Sequence, residues 1–321
     1  MELTWCRSFI AVHELGGFTA AARSLHRAQS RISAHVASLE SLFGEPLLNR
    51  DVHPPTLTAA GEAFLPHARG AIAEWTAAQA AVVARTGRVS GSVAVGSIPS
   101  VSSQILAPLF ARFAEMHPEV TFEVHEGPNS WLDDALTHRM VELTIRPMIE
   151  EQPLVGIKHH SLLTDPFVVV LRRDHPLTLK EKVSLQDLTN HVVVTTGEAG
   201  FDARIGREYH QLLAEVGVDR ERSMAVTQPT TVFAFVKERL GIGLIGLLAA
   251  RMMCDAGLVL RPIHEDSASR QIGIHWARTR QLSPAASTFM RALRNFLAEE
   301  ISQGRLHPPN GTISTNGGPR K

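Results

Sequence analysis

Arginines at positions 23, 27 and 31, with His26 and His35 beside them, fall in a stretch from Leu15 to Leu39 that holds no acidic residue. A cluster of cations like this neutralises phosphates and releases their counterions, which supplies the sequence-independent part of nucleic-acid affinity. Polar Gln29, Ser30, Arg31, Ser33 and His35 crowd the same span. A glutamine such as Gln29 can pair bidentately with adenine, and Arg31 can read guanine or hold a phosphate. Three arginines alone fit a solvated helix face equally well, so their placement has to decide between the two readings.

Three helical patterns supply that placement. Leu3, Cys6, Phe9, Ile10 and Val12 recur at helical spacing until Gly16-Gly17 stops them. A short second helix follows from Phe18 to Leu25, with Thr19 a candidate cap. Beyond His26-Arg27-Ala28, residues Ile32, Val36, Leu39 and Phe43 are spaced four, three and four and end at Gly44, which buries one face of a third helix. Two helices joined by a tight turn, the second carrying polar residues at its start, describe a helix-turn-helix. Leu47 to Arg50 and Pro55 to Thr58 then read as a two-stranded wing with a proline-stiffened tip, and Arg50 would touch the DNA backbone or the adjacent minor groove. The candidate DNA contacts are Thr19, Arg27, Gln29, Ser30, Arg31, Ser33, Ala34, His35, Arg50 and Thr56.

From Ala59 to Arg85 the chain is alanine-rich, and Leu65, Ala68, Ile72, Trp75, Gln79 and Val82 alternate three and four apart. That seam suits pairing with a second copy as a dimer or tetramer, with a helix packed on its own domain as the other reading, and Pro66 is a candidate kink. Thr86 to Gly91 is a hinge by composition. Strand and helix patterns then alternate: strands at 92–95, 120–124, 141–145, 167–171, 191–195 and 242–245, and helices at 104–116, 131–139, 204–216, 229–240 and 284–300. This is an α/β unit with a mixed or parallel sheet. The remainder to Lys321, rich in Gly, Pro, Asn and Ser, is expected to be disordered.

Length and composition bound the rest. A chain of 321 residues exceeds one ordinary core, and 44% apolar with 20% charged residues fits a globular protein. The formal net charge is zero, so any nucleic-acid reading must rest on local charge. Met1 to Gly16 is amphipathic and interrupted by Glu2, Arg7 and Glu14, unlike a secretory leader. The longest apolar run, Leu240 to Ala250, falls short of the ~20 residues of a membrane span. Cytoplasmic residence without membrane contact is expected. Two cysteines, Cys6 and Cys254, read as buried small hydrophobes rather than a disulfide.

Phe9, Ala11-Val12, the run Gly17 to Ala22, Leu25-His26, Gln29, Ser33, Leu39-Glu40, Gly44, the run Leu47 to Arg50 and the run Leu57 to Gly61 together resemble the amino-terminal signature of LysR-type transcriptional regulators. The resemblance covers nearly all of residues 1–65. The departures are Ala28 for the usual serine, Ser30 for the usual proline and Ala34 for a frequent arginine. It implies a winged helix-turn-helix at 1–60, a linker and dimerisation helix with hinge at 61–90, and an effector-binding domain at 91–302, followed by the 303–321 tail. That domain resembles periplasmic binding proteins: one subdomain at about 91–163 and 268–302, another at about 164–267, and a small-molecule cleft between them. Glu142 and Gly246 stand where the family commonly has aspartate and proline.

The resemblance gives the loop Ser97 to Ser103 a place in that cleft, and its hydroxyls with the amides of the following helix suit a polar or anionic ligand. Ser97, Ser100, Ser102, Asn129, Arg146, Thr195, Thr196 and Gln228 are the candidate effector contacts, with Arg146 the partner for a carboxylate. DNA, a small-molecule effector, further copies of the chain and RNA polymerase are the candidate partners.

No catalytic residue, cofactor or metal is expected. Gly241 to Gly246 matches a dinucleotide fingerprint in letters but leads into a strand rather than out of one. Sixteen histidines supply no metal-ligand spacing, and Asn310-Gly311-Thr312 is a glycosylation sequon without meaning in the cytoplasm. An oligomeric solute-binding protein or enzyme built on the α/β unit is the alternative function, and residues 1–65 count against it, since an assembly helix needs neither wing nor arginine-lined turn.

Overall fold

The computed structural model describes residues 2–85, 88–148, 155–197, 207–218, 222–253, 255–278 and 281–309. Thr86-Gly87 of the hinge, residues 204–206 of an expected helix, Cys254, the sequon and residues 310–321 of the tail lie outside them.

Helices α1 (Leu3–Glu14), α2 (Phe18–Ser24) and α3 (Gln29–Phe43) close around Cys6, Phe9, Val12, Ala21, Ala22, Ile32, Val36 and Leu39, the apolar positions whose spacing defines the helices. Gly44, in the left-handed region at φ 72°, ends α3. Strands β1 (Leu48–Asn49) and β2 (Thr56–Leu57) form the antiparallel wing, and Leu47 and Leu48 anchor it in the same core. Helix α4 (Ala59–Ala84), capped by the Thr58 hydroxyl accepting from Gly61 N at 3.0 Å, runs unbroken through Pro66. Its heptad seam divides. Leu65 and Ala68 complete the core of the first three helices, whereas Trp75 and Val82 are exposed, at 49% and 69%.

The α/β region is mixed. β3 (Gly91–Ser97) pairs in parallel with β4 (Val120–Glu126) and β5 (Leu143–Pro147). Between β3 and β4 the chain is helical from α5 (Pro99–Val101) through a π turn at Ser102–Leu106 to α6 (Ala107–Met116), and α7 (Asn129–Thr137) precedes β5. β6 (Ile157–Arg172) then spans both halves of the region. Residues 157–166 pair with β11 (Ser269–Ala277), and residues 167–172 pair with β9 (Ile242–Gly246) and β10 (Leu258–Pro262). β7 (Val193–Thr196) pairs in parallel with β8 (Ser223–Val226) and β9, flanked by α8 (Arg207–Glu215), α9 (Pro229–Lys237) and α10 (Leu247–Ala250). β11 returns the chain to the first half, where α11 (Pro284–Ser302) packs. The sheet order is β4-β3-β5-β11-β6-β9-β7-β8, with β10 also on β6.

Strand periodicity explains the cores. Phe167, Val169 and Leu171 of β6 face Leu185, Leu188 and Leu213, while Val168 and Val170 face Val232, Val236 and Ala249 on the other side. Both faces of the second half are thus covered. In the first half, Val93, Val95, Leu143, Ile145, Ile272 and Ile274 meet Leu109, Phe113, Phe289 and Leu293.

The tail departs from expectation before residue 310. Leu306 is buried in the first core, and His307 makes an antiparallel bridge to Thr164. The Gly and Pro content around these residues concealed a leucine whose side chain is buried in a core.

Candidate nucleic-acid interface and ligand cleft

The turn between α2 and α3 is tight because the Arg27 amide reaches back to Ala22 O at 2.9 Å and His26 takes a left-handed φ of 51°. Burial of Ile32, Val36 and Leu39 turns the opposite face of α3 outward, so Gln29, Ser30, Arg31 and Ala34 are exposed and Ser33 is half-buried. Arg23 and Arg27 stand exposed beside them, and no ion pair engages either arginine or Arg31 among the described residues. Ala28 occupies the N-cap of α3 and makes no side-chain cap bond to its first-turn amides. Thr19 is exposed but is not a cap, because α2 already begins at Phe18 with Gly17 before it.

Glu40 organises the wing. Its Oε1 accepts from Leu47 N at 3.0 Å and Leu48 N at 3.3 Å, while Oε2 accepts from Arg50 Nη2 at 2.6 Å. The Arg50 guanidinium also lies 5.2 Å from the centre of the Phe18 ring. Arg50 is therefore held at the base of the wing yet still 43% exposed. Thr56 is exposed on β2. His35 differs from the other candidates: its Nδ1 lies 2.8 Å from Ser8 Oγ, and Ser8 is buried on α1. With the Ser8 hydroxyl proton directed to Thr4 O, His35 donates and ties α3 to α1. Its ring is committed inward.

In the α/β region Ser97, Arg146, Thr195 and Thr196 sit at or near the carboxyl ends of parallel strands, and Asn129 and Gln228 stand where α7 and α9 begin. Ligands of open α/β sheets bind at such ends. Ser97 Oγ and Ser102 Oγ are 2.6 Å apart, and Ser97 and Ser100 are buried. The α5 segment that carries Ser100 packs against α10 of the second half. Thr196 Oγ1 lies 3.0 Å from the Tyr209 hydroxyl, Thr195 is buried and Gln228 exposed. Asn129 Oδ1 is buried without a hydrogen-bond partner among the described residues.

Arg146 already has partners within the chain. It is 5% exposed, ion-paired to Asp133 of α7, and its Nη1 donates to Pro147 O at 3.0 Å. A guanidinium already paired under α7 is not poised for a ligand carboxylate. Asp133 gave no sequence signal, because a helix laid over a strand brings together residues thirteen positions apart. Glu142, the departure from the family's aspartate, accepts from Ser283 N at 2.5 Å and Ser283 Oγ at 3.0 Å, and Ser283 Oγ accepts from Ala286 N at the start of α11. Glu142→Ala removes a charged group from a helix N-terminus and should lower stability by about 1–2 kcal/mol in urea unfolding.

Beside Arg146 lie Thr144, His275 and His159, in register across β5, β11 and β6. Burial, then the charges of Arg146 and His159, push the His275 imidazole down to about 3. Below the ordinary value near 6.5 the unfolded chain takes up a proton that folded His275 refuses, so stability present above pH 6.5 is lost as pH falls toward 3. Between pH 6.5 and 5 this site alone should cost about 2 kcal/mol, and His275→Gln should flatten the acid limb of a Tm–pH profile.

A cavity of about 730 Å³ separates α1 and α4 from the α/β region, lined by Arg7, Ile10, Arg69, Ile72, Arg139 and Met140 among others. Across it the Arg139 side chain packs directly on Gly70 of α4. Among the described residues no helix is long and apolar enough to cross a membrane, and no group of His, Cys, Asp and Glu could hold a metal. The glycines of Gly241 to Gly246 serve packing: a Cβ at Gly243 would strike Val232 and one at Gly246 the Asp165 carboxylate.

Comparison with known proteins agrees with this geometry. Residues 3–62 match the family model described as bacterial regulatory helix-turn-helix protein, lysR family, and residues 86–298 match the LysR substrate binding domain. The HTH-type transcriptional regulator ShiR of Corynebacterium glutamicum (strain R) is 33% identical over 280 residues, 87% of this chain and 93% of that protein. A full-length point variant of OxyR from Pseudomonas aeruginosa superposes with a TM-score of 0.72 at 20% identity, covering 92% of this chain and 94% of that one. Full-length CbnR in complex with its target DNA gives 0.66 at 20% identity over 92% of this chain and 100% of that one. With a helix-turn-helix that exposes an acid-free face, a two-part α/β domain behind it and family matches across both, the chain belongs to the LysR family of DNA-binding, effector-responsive transcriptional regulators.

Proposed function

We propose that α3 enters the major groove with Gln29, Ser30, Arg31, Ser33 and Ala34 toward base edges, while Thr19, Arg27, Arg50 and Thr56 fix its register through the phosphate backbone. The observation that carries this reading is the exposed face of α3, free of acidic residues and flanked by arginines without ion pairs among the described residues. Uncapped amides at the start of α3 suit a phosphate oxygen as well. His35 supports the helix from behind.

The units we assign are the DNA-binding domain at 1–60, the linker helix and hinge at 61–90, and the effector domain at 91–302, its second subdomain at about 164–267. The effector sits between the two subdomains, met by hydroxyls and amides of Ser97, Ser100, Ser102, Asn129, Thr195, Thr196 and Gln228, with Arg146 positioning α7 through Asp133. The chain works in the cytoplasm as a homodimer or homotetramer. Exposed Trp75, Gln79 and Val82 on one stripe of α4 favour pairing through that helix. Effector binding shifts the population of subdomain arrangements and with it the spacing and bend of bound DNA.

A mobility shift on DNA flanking the protein's own gene tests the reading. We expect saturable binding that weakens steeply with salt and resists non-specific competitor. Binding that competitor abolishes would refute sequence-specific recognition. A thermal-shift screen of small carboxylates and aromatics on the full chain tests the effector half, since a ligand at 100 times its Kd adds about 2.7 kcal/mol.

A further inference from the structure

After α11 the chain turns at Gly304, whose φ of 69° lies in the left-handed region, and runs across the hinge between the two halves of the α/β region. Arg305 forms a two-pronged pair with Glu300 at 2.5 and 2.6 Å, and Leu306 plugs the first core. The main chain then lies antiparallel to β6 at Thr164, where β6 is about to leave β11 for β9. Thr164 N donates to His307 O at 3.1 Å, and Thr164 Oγ1 donates to Pro308 O at 2.7 Å. Gln271 of β11 donates to the same Oγ1 at 3.0 Å, so the residue that holds the segment is itself tied to the second crossing strand. From the other half Arg251, at the end of α10, donates to Arg305 O at 2.7 Å.

Residues 304–309 are thus bound at once by the first core, by β6 at the crossing and by the end of a helix of the opposite half. We propose that residues 304–309 are a strap that stiffens this hinge and holds the angle between the halves. Any movement of one half against the other must break the Arg251 bond or peel the segment from Thr164. The consequence for effector response rests on the reading that the effector sits between the halves; the strap itself does not.

Amide hydrogen exchange on the effector-free full chain tests it directly. A chain ending at Gln303 should exchange about tenfold faster at residues 161–167 of β6 and 268–272 of β11, with α1 to α3 unchanged. A chain ending at Pro309 should match the full chain. Because loss of Leu306 also opens the core, a full-length T164V/R251A variant supplies the second arm and should accelerate the same hinge amides. Unchanged hinge exchange in both arms would overturn the strap. So would acceleration spread evenly over the α/β region in T164V/R251A, since that marks general stabilisation. No effector enters the experiment, so its outcome is independent of whether a ligand is ever found for the cleft.

Discussion

Asp165→Ala is expected to destabilise the α/β region by roughly 3–5 kcal/mol, the largest stability loss of any single substitution considered for this chain. Asp165 is 1% exposed and Arg270 8% exposed, and the two face each other in register on β6 and β11. Arg270 Nε and Nη2 reach Asp165 Oδ2 at 3.0 and 2.9 Å, while Oδ1 accepts from Leu248 N at 2.9 Å in α10. Alanine at 165 would take the buried carboxylate from the Arg270 guanidinium and uncap α10 together. Gly246 packs against both members of the pair, so a side chain there would collide with the carboxylate. That collision is why a glycine ends the strand here. Unfolding followed by near-ultraviolet circular dichroism reports the loss, and an Asp165→Leu/Arg270→Met double variant should recover most of it, because apolar replacement of both partners avoids the unpaired charge.

Gln29→Ala with Arg31→Ala carries the largest functional effect. Each bidentate side-chain–base pair is worth about 1–3 kcal/mol of discrimination, so losing both should weaken operator binding by roughly 30-fold to 10⁴-fold. Both residues are exposed at the start of α3 and bear on no core contact, so the fold should be unaffected. Non-specific binding should fall much less, because Arg27 and Arg50, the arginines proposed to meet phosphate, are retained. Measuring the two affinities side by side separates base reading from charge. Equal losses would mean that Arg31 serves only the backbone.

The helix-turn-helix was legible because local rules govern it: each helix buries one stripe at three and four spacing, and each stop is a glycine or a tight turn. The acid-free run needed no structure to be seen. The long strand β6 was only half legible. Phe167 to Leu171 is continuously apolar because both faces are buried, but Lys158, His159 and His160 in its first part mask a strand whose pairing with β11 is fixed by residues over a hundred positions away. β8, β10 and β11 escaped for the same reason: short or polar strands gain their stability from neighbours distant in sequence. Arg146 and His35 show the corresponding limit for sites. Their residue types suited ligand and DNA, and the partners that they have in three dimensions, Asp133 and Ser8, were not legible in the sequence. Glu40 was visible in the family signature, but its grip on Leu47, Leu48 and Arg50 was not.

The central claim is that one face of α3 reads sequence while the surrounding arginines hold phosphate. The most direct test is a fluorescence titration of the full chain against operator and scrambled duplexes at two salt concentrations, repeated with the Gln29→Ala/Arg31→Ala variant. We predict that the operator-to-scrambled affinity ratio collapses by at least ~30-fold while the salt dependence falls by no more than about one phosphate contact. An unchanged ratio in the variant would contradict the account.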